Sequence, residues 1–328
     1  MKVLITGGAG FLGQRLAKKL LQRGSLKNAQ GVDEKLTELV LLDVVAASGL
    51  NDPRVTVLTG DVADPEVLER AVEADTASIF HLAAVVSSQA EADFDLGMRI
   101  NVDGFRCLLE TCRRRGHAPK VLFASSVAVY GGTLPAEVQD DTALSPKSSY
   151  GIQKAIGELL LTDFSRKGFV DGRGLRLPTI SVRPGKPNKA ASSFASGIIR
   201  EPLHNQDTVC PVTPDTRLWL LSPRQAIENF IWAHDLGSDA FAQNRMLNLP
   251  GVNVSVQEMI EALGVVAGQK ALERIRWEAD ATVQRIVGSW PACWNMERAL
   301  ALGFKGDANF ESMVRAFVAD DMAGGLPA

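Results

Sequence analysis

Residues 2–13 read Lys2-Val3-Leu4-Ile5-Thr6-Gly7-Gly8-Ala9-Gly10-Phe11-Leu12-Gly13, and the reading of this stretch decides the fold. The apolar run opening at Lys2 and ending at Thr6 is short enough for one buried strand. From Leu12 to Gln22, Leu12, Leu16 and Leu20, with Ala17 and Leu21 beside them, recur at helical spacing, and Gly24 stops the helix. Between strand and helix stand glycines at 7, 10 and 13. One permits a tight turn, one lets backbone approach a pyrophosphate, and one lets helix pack closely on strand, with the phosphates over the helix N-terminus. The pattern is weak alone and strong in this strand-to-helix context at the first crossover. A dinucleotide is therefore expected against Gly7, Gly10, Phe11, Leu12 and Gly13.

Outward from this turn the first half alternates short apolar runs with longer amphipathic ones, the signature of βα units around a parallel sheet. Further strands are expected at Glu38–Leu42, Val55–Thr59, Ala77–Leu82, Lys120–Ala124 and Thr179–Val182, giving an α/β, doubly wound sheet of Rossmann type. The polar stretch 24–35 reads as a surface loop. After Arg183-Pro184 the pattern changes to Pro, Lys, Asn and Ser, so a dinucleotide-binding domain is expected over 1–183, with a returning segment at about 215–235. A smaller α-rich substrate lobe is expected over 184–328. In it Ser222-Pro223 supplies a helix cap and first-turn proline, and Ser255-Val256-Gln257-Glu258 a capping box.

The totals exclude several classes. A net charge of −3 from 35 basic and 38 acidic residues leaves no footprint for nucleic acid or an anionic membrane, and Arg113-Arg114-Arg115 reads as a solvated helix end. Four cysteines form no CxxC pair and four histidines form no HExxH, so no metal and a reducing, cytoplasmic setting are expected. No stretch reaches the ~20 apolar residues of a membrane span, and the apolar run after Lys2 is too soon interrupted to serve as a secretory signal.

Asp43 ends the second strand, where an acid can accept from the adenosine ribose hydroxyls. No Arg or Lys follows through Ser48 to welcome a 2′-phosphate, so NAD is expected rather than NADP. Asp61 and Val62 after the third strand, Leu82, Ala83 and Ala84 after the fourth, and Pro184 lie where strand ends line the ligand crevice. His81 reads as a structural imidazole. Tyr150 and Lys154, four apart in a helix opening after Pro146, stack on one face. A free phenol, of pKa about 10, is a poor base at neutral pH. Lys154 beside the ring, with a cationic nicotinamide, supplies a field that favours the phenolate. Ser126, at the carboxyl end of the Lys120–Ala124 strand, can bond the reacting oxygen.

With the glycine turn, Ser125-Ser126 and Tyr150-Gly151-Ile152-Gln153-Lys154 on the page, the chain resembles the extended short-chain dehydrogenase/reductases, a family that includes nucleotide-sugar epimerases and dehydratases. The resemblance covers nearly the whole chain. It implies that Ser126, Tyr150 and Lys154 are catalytic and that Lys154 also holds the nicotinamide ribose. It further implies that Asn101 shapes a helix and supports a proton relay, and that the protein is a homodimer built on helices of this region.

The family's usual RPxNVxGP continuation is replaced here by Arg183-Pro184-Gly185-Lys186-Pro187-Asn188-Lys189-Ala190-Ala191-Ser192-Ser193. That segment, continuing to Leu203, resembles a branch acting on four-carbon aldonic acids. Lys186, Lys189 or Arg200 would meet a carboxylate, and Asn188, Ser192, Ser193, Ser87 or Ser88 hydroxyls. The expected reaction is NAD-dependent oxidation of the C2 hydroxyl of a small sugar acid. An epimerase or dehydratase retaining its cofactor, and a non-catalytic dinucleotide sensor, are the alternatives.

Overall fold

The computed structural model describes residues 1–185, 191–242, 244–322 and 325. The chain opens with β1 (Lys2–Thr6), α1 (Phe11–Arg23), β2 (Ser25–Lys27), β3 (Asp33–Lys35), β4 (Glu38–Asp43), β5 (Val55–Thr59), α2 (Pro65–Ala71) and β6 (Thr76–His81). It continues through α3 (Ser87–Ala92), α4 (Phe94–Gly97), a π-helical turn (Met98–Gly104), α5 (Phe105–Arg115), β7 (Lys120–Ser126), a 3-10 turn (Val127–Val129), α6 (Ser149–Arg166) and β8 (Asp171–Leu177). Then come β9 (Thr179–Ile180), α7 (Phe194–Leu203), β10 (Thr208–Cys210), β11 (Arg217–Leu221), α8 (Pro223–Asp235), β12 (Met246–Asn248), β13 (Val252–Ser255) and α9 (Val256–Ala267). The last elements include α10 (Gln269–Leu272), β14 (Ile275–Trp277), α11 (Ala281–Gly288), α12 (Glu297–Ala301) and α13 (Phe310–Asp321).

Two compact units result. The first comprises Met1–Tyr130, Leu144–Arg176 and Ile227–Asn248, and the second Gly131–Ala143, Leu177–Ala226 and Leu249–Ala328. The first unit is built on a seven-stranded sheet in the order β12-β8-β7-β6-β1-β4-β5. β1 runs parallel to both β4 and β6, so the strand order reverses beside β1, and a crevice opens outside the carboxyl ends of β1 and β6. Every residue of β1 is buried, and Phe105 stacks on Phe123 with ring centroids 4.4 Å apart in the layer between sheet and helices. The second unit packs Ile198, Leu218, Met259, Val314 and Phe317 into its own core, around the strand trio β13-β11-β9 and the β10-β14 pair.

Two expectations need correction. The sixth strand is Asp171–Leu177. Thr179–Ile180 is a separate short strand that pairs in parallel with β11. β8 hides from a hydropathy reading because Arg173 and Arg176, both buried, interrupt its apolar run, and two glycines weaken its strand propensity. Those glycines are packing residues: a Cβ on Gly172 would sit 2.3 Å from Ser165 Oγ, and one on Gly174 2.2 Å from Met246 Sδ. The stretch 24–35 is likewise no irregular loop, since β2 and β3 pair antiparallel as a hairpin. Asn28 Oδ1 closes its turn by accepting from the Gln30 and Val32 N–H groups, a side-chain turn that leaves no hydrophobic period to read.

Candidate active site

The glycine turn lies where the crevice opens. Gly7 adopts φ +74°, and a Cβ there would lie 2.7 Å from the Ala83 nitrogen; on Gly13 it would lie 2.1 Å from the Gly7 carbonyl oxygen. Both positions therefore exclude a side chain by backbone contact alone. Gly10, the residue before α1, offers no side-chain cap, and the first turn of the helix holds no acid, so its first N–H groups and the positive end of its dipole are left for an anion. Asp43 closes β4 and accepts from the Ala9 N–H at 3.0 Å, which ties this acid to the glycine turn. The turn and the acid fit a dinucleotide.

Asp61 follows β5, pairs with Arg99 and accepts from the Ala63 N–H at 2.8 Å. Burial works to raise its pKa, but Arg99 and the Ala63 N–H outweigh it and hold the carboxyl below the usual range. Val62 packs in the core, with its Cγ1 3.0 Å from where a Cβ on Gly104 would stand. Leu82, Ala83 and Ala84 leave β6, and the Leu82 N–H donates to the Thr6 carbonyl at 3.0 Å. His81 is fully buried, shares a 2.8 Å hydrogen bond with Thr6 Oγ1 and stacks on Phe105. Burial, with Lys154 nearby, pushes its pKa down to about 3, so this imidazole is neutral at physiological pH.

α6 carries the tyrosine and the lysine. Ser148 caps it, accepting from the Gly151 N–H at 3.2 Å, and Glu91 of α3 accepts from the Ser149 N–H at 2.9 Å. The helix packs close to the sheet because its inward face includes glycine. A Cβ on Gly151 would stand 2.2 Å from the Ala128 carbonyl oxygen, and one on Gly157 2.6 Å from Phe123 Cζ. Lys154 is buried, donates to the Ala124 carbonyl at 2.8 Å, and stands 4.8 Å above the Phe123 ring centroid and 5.7 Å from that of Tyr150. Burial lowers its pKa to about 8, opposed by the charge of Glu158. Ser126 ends β7 two residues beyond Ala124, its Oγ accepting from the Ala128 N–H at 3.1 Å.

Asn101 sits in the π-helical turn and is fully committed. Its Nδ2 donates to the Val85 carbonyl at 3.0 Å and to Gln153 Oε1 at 2.7 Å, while its Oδ1 accepts from the Val85 N–H at 2.8 Å. It thus clamps the loop after β6 to α6 at Gln153, the residue directly before Lys154. Ser87 opens α3. The first unit thereby gathers the residues expected for the cofactor, apart from Pro184, with Ser126, Tyr150, Lys154 and Asn101. Pro184, Ser192 and Arg200 belong to the second unit. Ser192 stands in the 3-10 turn before α7. Arg200 is buried and already engaged, donating to the Arg183 carbonyl at 2.8 Å and to Glu201 Oε1 at 2.6 Å. Lys186, Asn188 and Lys189 lie outside the described residues.

Sequence reading passed over Glu158 and Arg176. The available signal was spacing, since Tyr150, Lys154 and Glu158 fall at successive four-residue steps and so share one helix face. Among the described residues no cluster of three His, Cys, Asp or Glu side chains is arranged to hold a metal ion, and no helix is long and apolar enough to cross a membrane.

A βαβ sheet with a glycine turn, a strand-end serine and a tyrosine–lysine helix defines a dinucleotide-dependent enzyme class. The chain belongs to the NAD dependent epimerase/dehydratase family, whose pattern it matches over residues 3–236. It is 63% identical over 320 residues to a D-erythronate dehydrogenase of Cupriavidus necator, covering 98% of both chains. A D-erythronate dehydrogenase of Haemophilus influenzae is 48% identical over 323 residues, 98% of this chain and 100% of the relative. Among solved structures, a nucleoside-diphosphate-sugar epimerase from Agrobacterium tumefaciens superposes with a TM-score of 0.94 at 41% identity, over 100% of this chain and 96% of that one.

Proposed function

We propose that this protein oxidises the C2 hydroxyl of D-erythronate to 2-oxo-D-erythronate, with Tyr150 as general base. The observation that carries the chemistry is the buried Lys154 ammonium, fixed on the Ala124 carbonyl and 5.7 Å from the Tyr150 ring centroid. The substrate follows from the full-length likeness to the two D-erythronate dehydrogenases. NAD, when bound, supplies the hydride acceptor. Gly7, Gly10, Phe11, Leu12, Gly13 and Asp43 would hold its adenosine and phosphate part, and Asp61, Val62, Leu82, Ala83, Ala84, Tyr150, Lys154 and Pro184 the remainder.

The Tyr150 phenolate takes the C2 hydroxyl proton. Lys154 favours that phenolate by its charge, and Ser126 donates to the same substrate oxygen and keeps it within reach of the base. Asn101 holds α6 against the loop after β6. The charge of Arg200 is met by Glu201, so Lys186 and Lys189 are the stronger candidates for the substrate carboxylate. In this reading Arg200 secures the Arg183 turn, while Ser87, Asn188 and Ser192 meet hydroxyls. The enzyme acts in the cytoplasm as a homodimer. Ile152 and Leu159, seven apart on α6 and exposed at 47% and 68%, support an interface on this helix, and light scattering of the purified protein checks it.

An epimerase that returns its hydride would use the same groups. The two are separated by incubating the protein with NAD and D-erythronate, and separately with nucleotide sugars, while recording the absorbance of reduced nicotinamide. Accumulation of NADH stoichiometric with D-erythronate consumed is expected. Silence with this acid alongside turnover of a nucleotide sugar would contradict the proposal. Asp43→Asn in the same assay is expected to narrow the preference for NAD over NADP.

A further inference from the structure

We infer that the buried Glu158–Arg176 pair positions Ser126 by gripping the turn that carries it at both ends, a role that rests on the catalytic reading above. The turn runs from Ser125, at the end of β7, through Val127–Val129 to Tyr130. At its entrance Ser125 Oγ donates to Glu158 Oε1 at 2.5 Å. Arg176 Nε donates to Oε1 at 2.9 Å and to Oε2 at 3.2 Å, and Nη2 to Oε2 at 2.7 Å. At the exit Arg176 Nη1 donates to the Tyr130 hydroxyl, which in turn donates to Asn248 Oδ1 at 3.0 Å. The guanidinium also lies 5.0 Å from the Tyr130 ring centroid.

One carboxylate and one guanidinium, on α6 and β8, therefore fix residues 125 and 130, between which Ser126 falls. Ser125, Glu158, Arg176, Tyr130 and Asn248 are each at most 5% exposed, so water does not compete for these bonds. The same helix adds two more ties, Lys154 on the Ala124 carbonyl and Gly151 against the Ala128 carbonyl. A buried ion pair adds little net stability relative to well-packed apolar side chains. A geometric role is therefore the better account of five polar side chains converging on this turn. A donor displaced by a fraction of an ångström loses alignment with the oxygen it must hold.

Ser125→Ala and Tyr130→Phe each remove one hydroxyl, one at either end, and leave the ion pair intact. With NAD and D-erythronate, each is expected to lower kcat about tenfold. KM, the dissociation constant for NAD and the melting temperature should stay near their wild-type values. Unchanged kcat in either folded variant overturns the inference. So does a parallel loss of kcat, NAD affinity and melting temperature, or failure of the variants to fold, because these would mark a purely structural network. Tyr150→Phe is measured alongside. If it keeps the wild-type rate the base assignment itself is wrong, whereas loss in Tyr150→Phe with full activity in the other two defeats the positioning role alone.

Discussion

Arg176–Glu158 in the first unit and Arg200–Glu201 in the second are both buried arginine–glutamate pairs, yet they are closed to different degrees. Glu158 has both carboxylate oxygens engaged, by Arg176 and Ser125. Glu201 has one oxygen on Arg200, while Oε2 is buried without a hydrogen-bond partner among the described residues. The closed pair joins three separate elements, β8, α6 and the Ser126 turn, and so behaves as a fixed anchor. The open pair joins neighbours within α7 and, among the described residues, its side chains reach the Arg183 carbonyl alone beyond it, so it constrains less of its unit.

The comparison fails first at Glu158. Glu158→Ala leaves the Arg176 guanidinium buried and uncompensated, with an expected loss of about 3–5 kcal/mol in denaturant unfolding. A loss no larger than that of a surface substitution would show that the pair anchors nothing. Next comes acid sensitivity. The first unit also buries His81 and His234, burial lowering their pKa values to about 3 and about 4. The folded protein thus refuses protons that the unfolded chain accepts below pH 6.5. Stability from these groups is fully present above pH 6.5 and is lost as pH falls toward 4, by about 2 kcal/mol for each imidazole at pH 5. Urea midpoints measured from pH 7 to pH 5 should decline accordingly, and a flat profile would refute the neutral, buried assignment. The smallest effect is expected from Glu201→Gln, which keeps an oxygen acceptor for Arg200. Because the substitution still removes the counter-charge of the buried Arg200, its unfolding free energy should fall by about 2 kcal/mol, less than for Glu158→Ala, and kcat should hold. A drop as large as that of Glu158→Ala would erase the distinction between the pairs.

Legibility in the sequence follows the same division. β1, the glycine turn, α1 and its stop at Gly24 are local, and the φ of 74° at Gly24 is what a helix-ending glycine provides. Strand β5 was readable to the residue, and β4, β6 and β7 to within two residues at either end, since apolar runs in a parallel sheet depend on no distant partner. The Tyr150–Lys154 spacing was legible because four residues make one helical step. What escaped depends on side-chain partners that hydropathy does not show. β8 reads as polar until Glu158, and the carbonyls of Ala233 and His234, are seen receiving Arg176 and Arg173. The hairpin of residues 25–35 escaped because its turn is set by the Asn28 side chain rather than by hydrophobic alternation.

The most direct test of the account is the rate of NADH formation from D-erythronate by Tyr150→Phe, compared with wild type at saturating NAD, with NAD binding checked separately. Loss of the phenol should lower kcat on the order of 10³-fold while leaving NAD affinity near its wild-type value. Retention of the wild-type rate would contradict the assignment of Tyr150 as the base.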